Sequence, residues 1–168
     1  ENADGFAKIR PVSSHKFAIN DYVSYRGMMM LTGIEHTKAK GNPHIVISED
    51  GKAAVWAGAI DDLWKLGKPV GHGGPWLETE VKAREKSDPF LIGFYDKREM
   101  TLSHAASSEV VFTVEVDPTG DGQWFKYADF EVKPGASFKH KFPTAFQARW
   151  IRVSTNVDTK ASVSFEYR

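Results

Sequence analysis

From Val110 to Val116 the chain alternates: Val110, Phe112, Val114 and Val116 point one way, and Val111, Thr113 and Glu115 point the other. A repeat of two places successive side chains on opposite faces of an extended strand, so one face of this segment meets a core and the other meets water. The pattern recurs. Trp150 to Thr155 sets Ile151 and Val153 on one face. The last segment sets Ala161, Val163, Phe165 and Tyr167 against Ser162, Ser164 and Glu166. Trp124 to Val132 and Ser137 to Phe142 read as two further strands. Turn signals separate them: Asp117-Pro118-Thr119-Gly120-Asp121-Gly122, then Lys133-Pro134-Gly135, then Pro143. Helical spacing is confined to Asp61 to Leu66, one or two turns ending at Gly67. The expected fold is all-β, an antiparallel β-sandwich.

The first part has a different texture. Gly27 to Ile34 carries the run Met28-Met29-Met30-Leu31, and His44 to Ser48 is a second short apolar stretch. Glu49-Asp50-Gly51 turns into Ala53 to Ala57. Apolar runs of this kind suit sheets covered on both faces, as in the stacked blades of a propeller. The Gly- and Pro-rich stretch Lys68 to Pro75 marks the expected boundary. Residues 1–70 then form a short β-rich segment resembling a propeller blade, and residues 71–168 form the sandwich. The start, Glu1-Asn2-Ala3-Asp4, lacks an initiator Met and any signal-peptide pattern, as expected of a processed or trimmed start.

Charge and composition narrow the functional classes. Lys and Arg number 22, as do Asp and Glu, so no basic surplus exists to neutralise nucleic-acid phosphates. No stretch is long and apolar enough for a transmembrane helix. The chain has no Cys, which excludes disulfides, a thiolate nucleophile and Cys-ligated metals. The six His (His15, His36, His44, His72, His104 and His140) show no metal-binding spacing. Neither a nucleophile elbow nor a phosphate-cradling Gly loop occurs.

The run Asp61 to Trp76, with Gly73-Gly74-Pro75-Trp76 at its end, resembles a junction in bacterial rhamnosyl-glucuronate lyase-like proteins. Ser87 to Lys97 and Ala148 to Val153 resemble the sandwich of the same group, and the likeness spans residues 25–168. The resemblance implies a terminal propeller blade followed by an accessory sandwich, in a secreted or periplasmic bacterial protein that degrades polysaccharide. It implies a preceding propeller domain as a partner and brings no catalytic residue across.

Site candidates follow from residue chemistry. Sugar rings stack their C–H faces on aromatic rings, which singles out Trp76, Trp124, Phe125 and Tyr127 as ligand-binding candidates for a polysaccharide or oligosaccharide. His72 lies among glycines that let a ligand approach the backbone. If the chain contributes to a lyase or hydrolase site, His72 or Tyr95 would take a proton and Arg98 would bind a uronate carboxylate. Asp117 and Asp121 are candidate ligands of a structural Ca²⁺, the one cofactor considered. The leading expectation is a non-catalytic, carbohydrate-associated accessory module. The alternatives are part of a polysaccharide lyase or glycoside hydrolase active site, and a purely structural domain.

Overall fold

Val110, Phe112, Val114 and Val116 are buried on one face of a strand, and the residues between them are only half-buried. The sequence periodicity is thus expressed directly. The computed structural model describes residues 8–35, 37 and 41–168, and His36 lies outside them. It separates into two units, one of Val12–Lys68 and one made chiefly of Pro69–Arg168.

The smaller unit holds β1 (Tyr22–Tyr25), β2 (Met28–Leu31), β3 (Ile45–Ile47) and β4 (Ala54–Gly58). They form one antiparallel sheet in the order β1-β2-β4-β3. Consecutive strands do not all pair, since β4 lies between β2 and β3, so the sheet is not the simple meander that a blade-like reading suggests. Leu31, Ile34, Ala54 and Trp56 form its core, with Leu63 and Leu66 packed against them. Those two leucines come from a short 3-10 helix, Ile60–Leu66, where a helical turn was expected. The Asp62 carboxylate accepts the Ala59 N–H at its start (2.9 Å), satisfying a donor that has no partner within the helix. The expectation that the apolar runs are covered on both faces is corrected. Met28 and Ile47 are exposed, and Val46 retains 60% of its surface. One covered face suffices here, because the few residues packed around Trp56 supply the core of so small a sheet.

The larger unit contains β5 (Gly71–Val81), β6 (Phe90–Leu91), β7 (Arg98–His104), β8 (Val110–Asp117), β9 (Phe125–Val132), β10 (Ser137–Lys141), β11 (Trp150–Thr155) and β12 (Thr159–Tyr167). Two antiparallel sheets result, ordered β10-β7-β12-β5 and β6-β11-β8-β9. Met100, Leu102, Val163 and Phe165 from the first sheet join Phe112, Val114, Ile151 and Val153 from the second in one core. Fully burying each such side chain contributes roughly 1.5–3 kcal/mol. Among the described residues no helix is long and apolar enough to cross a membrane.

The Gly- and Pro-rich stretch expected as the boundary contains the division between the units at Lys68 and Pro69, and it also begins the longest strand. Gly71, Gly73 and Gly74 belong to β5 and lie beside β12, whose register with β5 shifts twice. At Gly74 an added Cβ would sit 1.8 Å from the Val163 carbonyl oxygen. Only glycine permits so close a backbone approach, so the residue type that usually marks a turn marks an irregular ladder.

Candidate functional site

Three connections of the sandwich line one cleft: the segment after β6, the loop after β8 and the loop before β11. Each is held by backbone bonds. Ile92 and Gly93 both donate their N–H to the Arg149 carbonyl, at 3.0 and 3.2 Å. The loop after β8 is organised by Asp117, whose Oδ1 accepts the N–H of Thr119 and Gly120 and whose Oδ2 accepts that of Gly122. The loop before β11 is tied at Phe142, whose N–H donates to the Arg98 carbonyl (3.0 Å).

The cleft has a volume of about 510 Å³, and Phe94, Tyr95, Arg98, Thr119, Gln147 and Arg149 are among its lining residues. Phe94 stands at its rim, 45% exposed, with its backbone in the left-handed region at φ 70°. That conformation is costly for a bulky residue and tends to persist at ligand sites, where the surroundings enforce it. The Arg149 guanidinium carbon lies 5.0 Å from the Phe94 ring centroid. Tyr95 stacks on Tyr167 with centroids 4.0 Å apart, and the Tyr167 hydroxyl donates to the Leu91 carbonyl (2.6 Å). Arg98 is 6% exposed and lies over the Phe146 ring. It also lines a neighbouring hollow of about 330 Å³ with Glu99, Lys141, Glu166 and Arg168.

The expected catalytic trio does not assemble. Tyr95 and Arg98 share the cleft, but His72 is exposed on β5 and lines a different hollow with Trp76, Leu77 and Thr101. Burial pushes the Tyr95 phenol above its usual range, the opposite of what a proton-abstracting phenolate requires. Burial lowers the pKa of Arg98, against the favourable charges of Tyr167 and Asp96.

The four aromatic candidates form no common platform either. Trp76 keeps 8% of its surface and is a core residue of the sandwich. Tyr127 packs edge-on against Phe146, and its hydroxyl is 2.9 Å from His140 Nε2, so it is part of an interior aromatic cluster. Trp124 is half-buried, with the Arg152 guanidinium carbon 4.3 Å from its ring centroid. Arg152 is itself held by Glu115 at 2.7 Å, and Lys86 reaches the same carboxylate at 3.0 Å. That leaves Phe125, exposed at the start of β9.

The two calcium candidates have protein partners in the structure. Both oxygens of Asp117 already face backbone donors, and Asp121 accepts the Gln123 N–H at 3.1 Å. Among the described residues no group of three His, Asp or Glu is placed to hold a metal. Residue-type reasoning passed over Phe94, Gln147 and Arg149. The only sequence signal for them is their position in short connections between strands, since the left-handed backbone of Phe94 is invisible in composition.

No family model matches the chain, and no curated protein matches it. Among solved structures, the chain is similar to the PBSX exported protein XepA, with a TM-score of 0.43 and 15% identity. The likeness covers 76% of this chain and 49% of that one, so the chain spans about half the length of that protein.

Proposed function

We propose that the sandwich is a non-catalytic module that binds a carbohydrate reversibly, as an accessory part of a secreted polysaccharide-degrading bacterial protein. The observation that carries this reading is Phe94, a half-exposed aromatic ring held in left-handed backbone at the rim of a cleft. A sugar ring can lay its C–H face on such a ring. Gln147 and Thr119 line the same cleft and carry donors and acceptors suited to hydroxyl groups. Apolar contact with a few convergent polar groups is the usual make-up of a small-ligand site. The separation of His72 from Tyr95 and Arg98 favours binding over proton abstraction.

Calorimetric titration against a panel of polysaccharides tests the reading. Phe94→Ala should weaken binding about tenfold, as expected for losing a stacked ring worth ~1.5 kcal/mol. Phe94→Gly serves as the folding control. It removes the ring and the backbone strain together, so it should melt at or above the parent temperature and still bind weakly. Unchanged affinity in both variants would exclude the cleft as the binding site.

A further inference from the structure

We propose that the sheet of the small unit is an interface between two copies of this chain, packed face to face. The register defines the surface. β2 turns Met29 and Leu31 toward the core around Trp56, so Met28 and Met30 point the other way. Tyr25 and Val23 of β1 lie opposite Met28 and Met30, and Ala57 of β4 lies opposite Met30 on the other side. Val46 of β3 lies opposite Val55 of β4. Cross-strand partners share a face, so these residues form one continuous apolar surface. Among the described residues no charged side chain interrupts it. It is also open: Val23 keeps 53% of its surface, Tyr25 52% and Val46 60%. An antiparallel sheet covered on one side normally turns polar residues to water on the other. Here the uncovered side is apolar throughout, which marks a surface that meets another.

Charge selects a second copy as the occupant. The formal net charge of the chain is zero, so two copies approach without net repulsion. The rim carries opposite signs at opposite corners. Arg26 lies in the β1–β2 turn, near the end of β4, since Met29 pairs with Gly58. Glu49 lies in the β3–β4 turn, ahead of the β4 start at Ala54. Asp50 in that turn is engaged by the Ser48 hydroxyl and by Lys52, so Glu49 is the acid available there. The strand order β1-β2-β4-β3 places the two turns on one diagonal of the sheet. A two-fold axis along the other diagonal brings each Arg26 to Glu49 of the second copy, and it crosses the strands at about 90°, a standard way for sheets to stack. Edge-to-edge pairing is opposed, because Asp21 Oδ1 accepts the Tyr22 N–H (2.8 Å) and blunts the free edge of β1. From the usual strand spacing and rise, the face measures roughly 19 by 14 Å, small for a permanent interface, so the dimer forms reversibly.

Sedimentation equilibrium of the full chain from about 1 μM to 1 mM, the range of weak association, tests the inference. The apparent mass should rise from that of one chain toward that of two and stop there, because a two-fold contact closes. Val46→Glu buries a carboxylate in each half of the interface and should abolish the rise. Val46→Thr keeps the β-branched shape, should melt with the parent at the lowest concentration, and should still weaken the dimer about threefold, so the test stands even if Val46→Glu fails to fold. Arg26→Glu should weaken the dimer about tenfold at low salt, and adding Glu49→Arg should restore it. A parent that stays monomeric throughout, growth beyond two chains, a dimer unaffected by both Val46 variants, or an Arg26→Glu loss that is absent or that Glu49→Arg does not repair would each overturn the proposal.

Discussion

Removing the Asp117 carboxylate should unfasten the loop after β8 and destabilise the sandwich. The residue is 2% exposed and takes three backbone N–H groups, at 3.2, 2.7 and 2.8 Å from Thr119, Gly120 and Gly122. A hydrogen bond to a charged group contributes roughly 1.5–3 kcal/mol. The three are not additive. The longest is weak, and Thr119 and Gly122 are exposed enough for water to reach their freed donors. Burying the carboxylate also has a cost that its removal returns. Asp117→Ala should therefore cost about 3 kcal/mol, near the sum of the two short bonds after that return. For a sandwich of this size that is roughly 10–20 °C in melting temperature. Asp117→Asn keeps one acceptor for Thr119 and Gly120 but turns an amide N–H₂ toward Gly122, so about half the loss should remain. Urea unfolding followed by tryptophan fluorescence gives the free energies. Parallel melts of the parent with Ca²⁺ and with a chelator should coincide. Asp117→Ala within about 0.5 kcal/mol of the parent would refute the amide-clamp account, since a surface substitution does no more. A Ca²⁺-dependent shift that disappears in Asp117→Ala would show that the carboxylate faces a cation instead.

Two further outcomes follow from the packing. Gly74→Ala should cost about 2–3 kcal/mol in urea unfolding, because the added Cβ meets backbone, the Val163 carbonyl, at 1.8 Å; parent-like stability would mean that β5 and β12 part easily. Burial among Tyr127, Phe130 and Phe142 holds the His140 imidazole below its ordinary value of 6.5. The unfolded chain then takes up the proton first, so stability falls as pH drops below about 6.5, and His140→Gln should flatten that part of the stability–pH curve. An equal slope in parent and variant would place the titration elsewhere.

The strands β8, β11 and β12 were legible because each puts an unbroken apolar series on its inner face, such as Ala161, Val163, Phe165 and Tyr167. β7 was not, because its inward series begins with Arg98 and ends with His104, two polar residues that mask the alternation. β5 was hidden by its glycines, which serve a bulged ladder here and a turn in other chains. The site was less legible than the fold. Trp76 and Tyr127 are the right residue types for a sugar, yet Trp76 is buried in the core and Tyr127 packs half-buried against it, and composition cannot distinguish an inward ring from an outward one. Tyr95 and Arg98 did reach a common cleft, in which Phe94 contributes the exposed ring.

Phe94 and Arg98 each break a local rule, and they do so beside one another. Among the described residues, three other non-glycine residues have left-handed backbone, and each has a local structural reason. Arg26 closes the β1–β2 hairpin, Glu78 donates its N–H to Ser162 Oγ across the irregular β5 ladder, and Arg84 donates its N–H to the Thr155 carbonyl. Phe94 likewise lies in a turn, Gly93-Phe94, whose Gly93 N–H donates to the Arg149 carbonyl, and it also borders the cleft. Arg98 opens an inward series whose next two members, Met100 and Leu102, are fully buried. A sequence selected for stability alone would place glycine at the first position and an apolar residue at the second. Departures from local consistency concentrate where function opposes stability. Both departures, one of backbone and one of charge, border the same cleft, so on the binding reading proposed above this is the end of the sandwich where substitutions should separate affinity from stability.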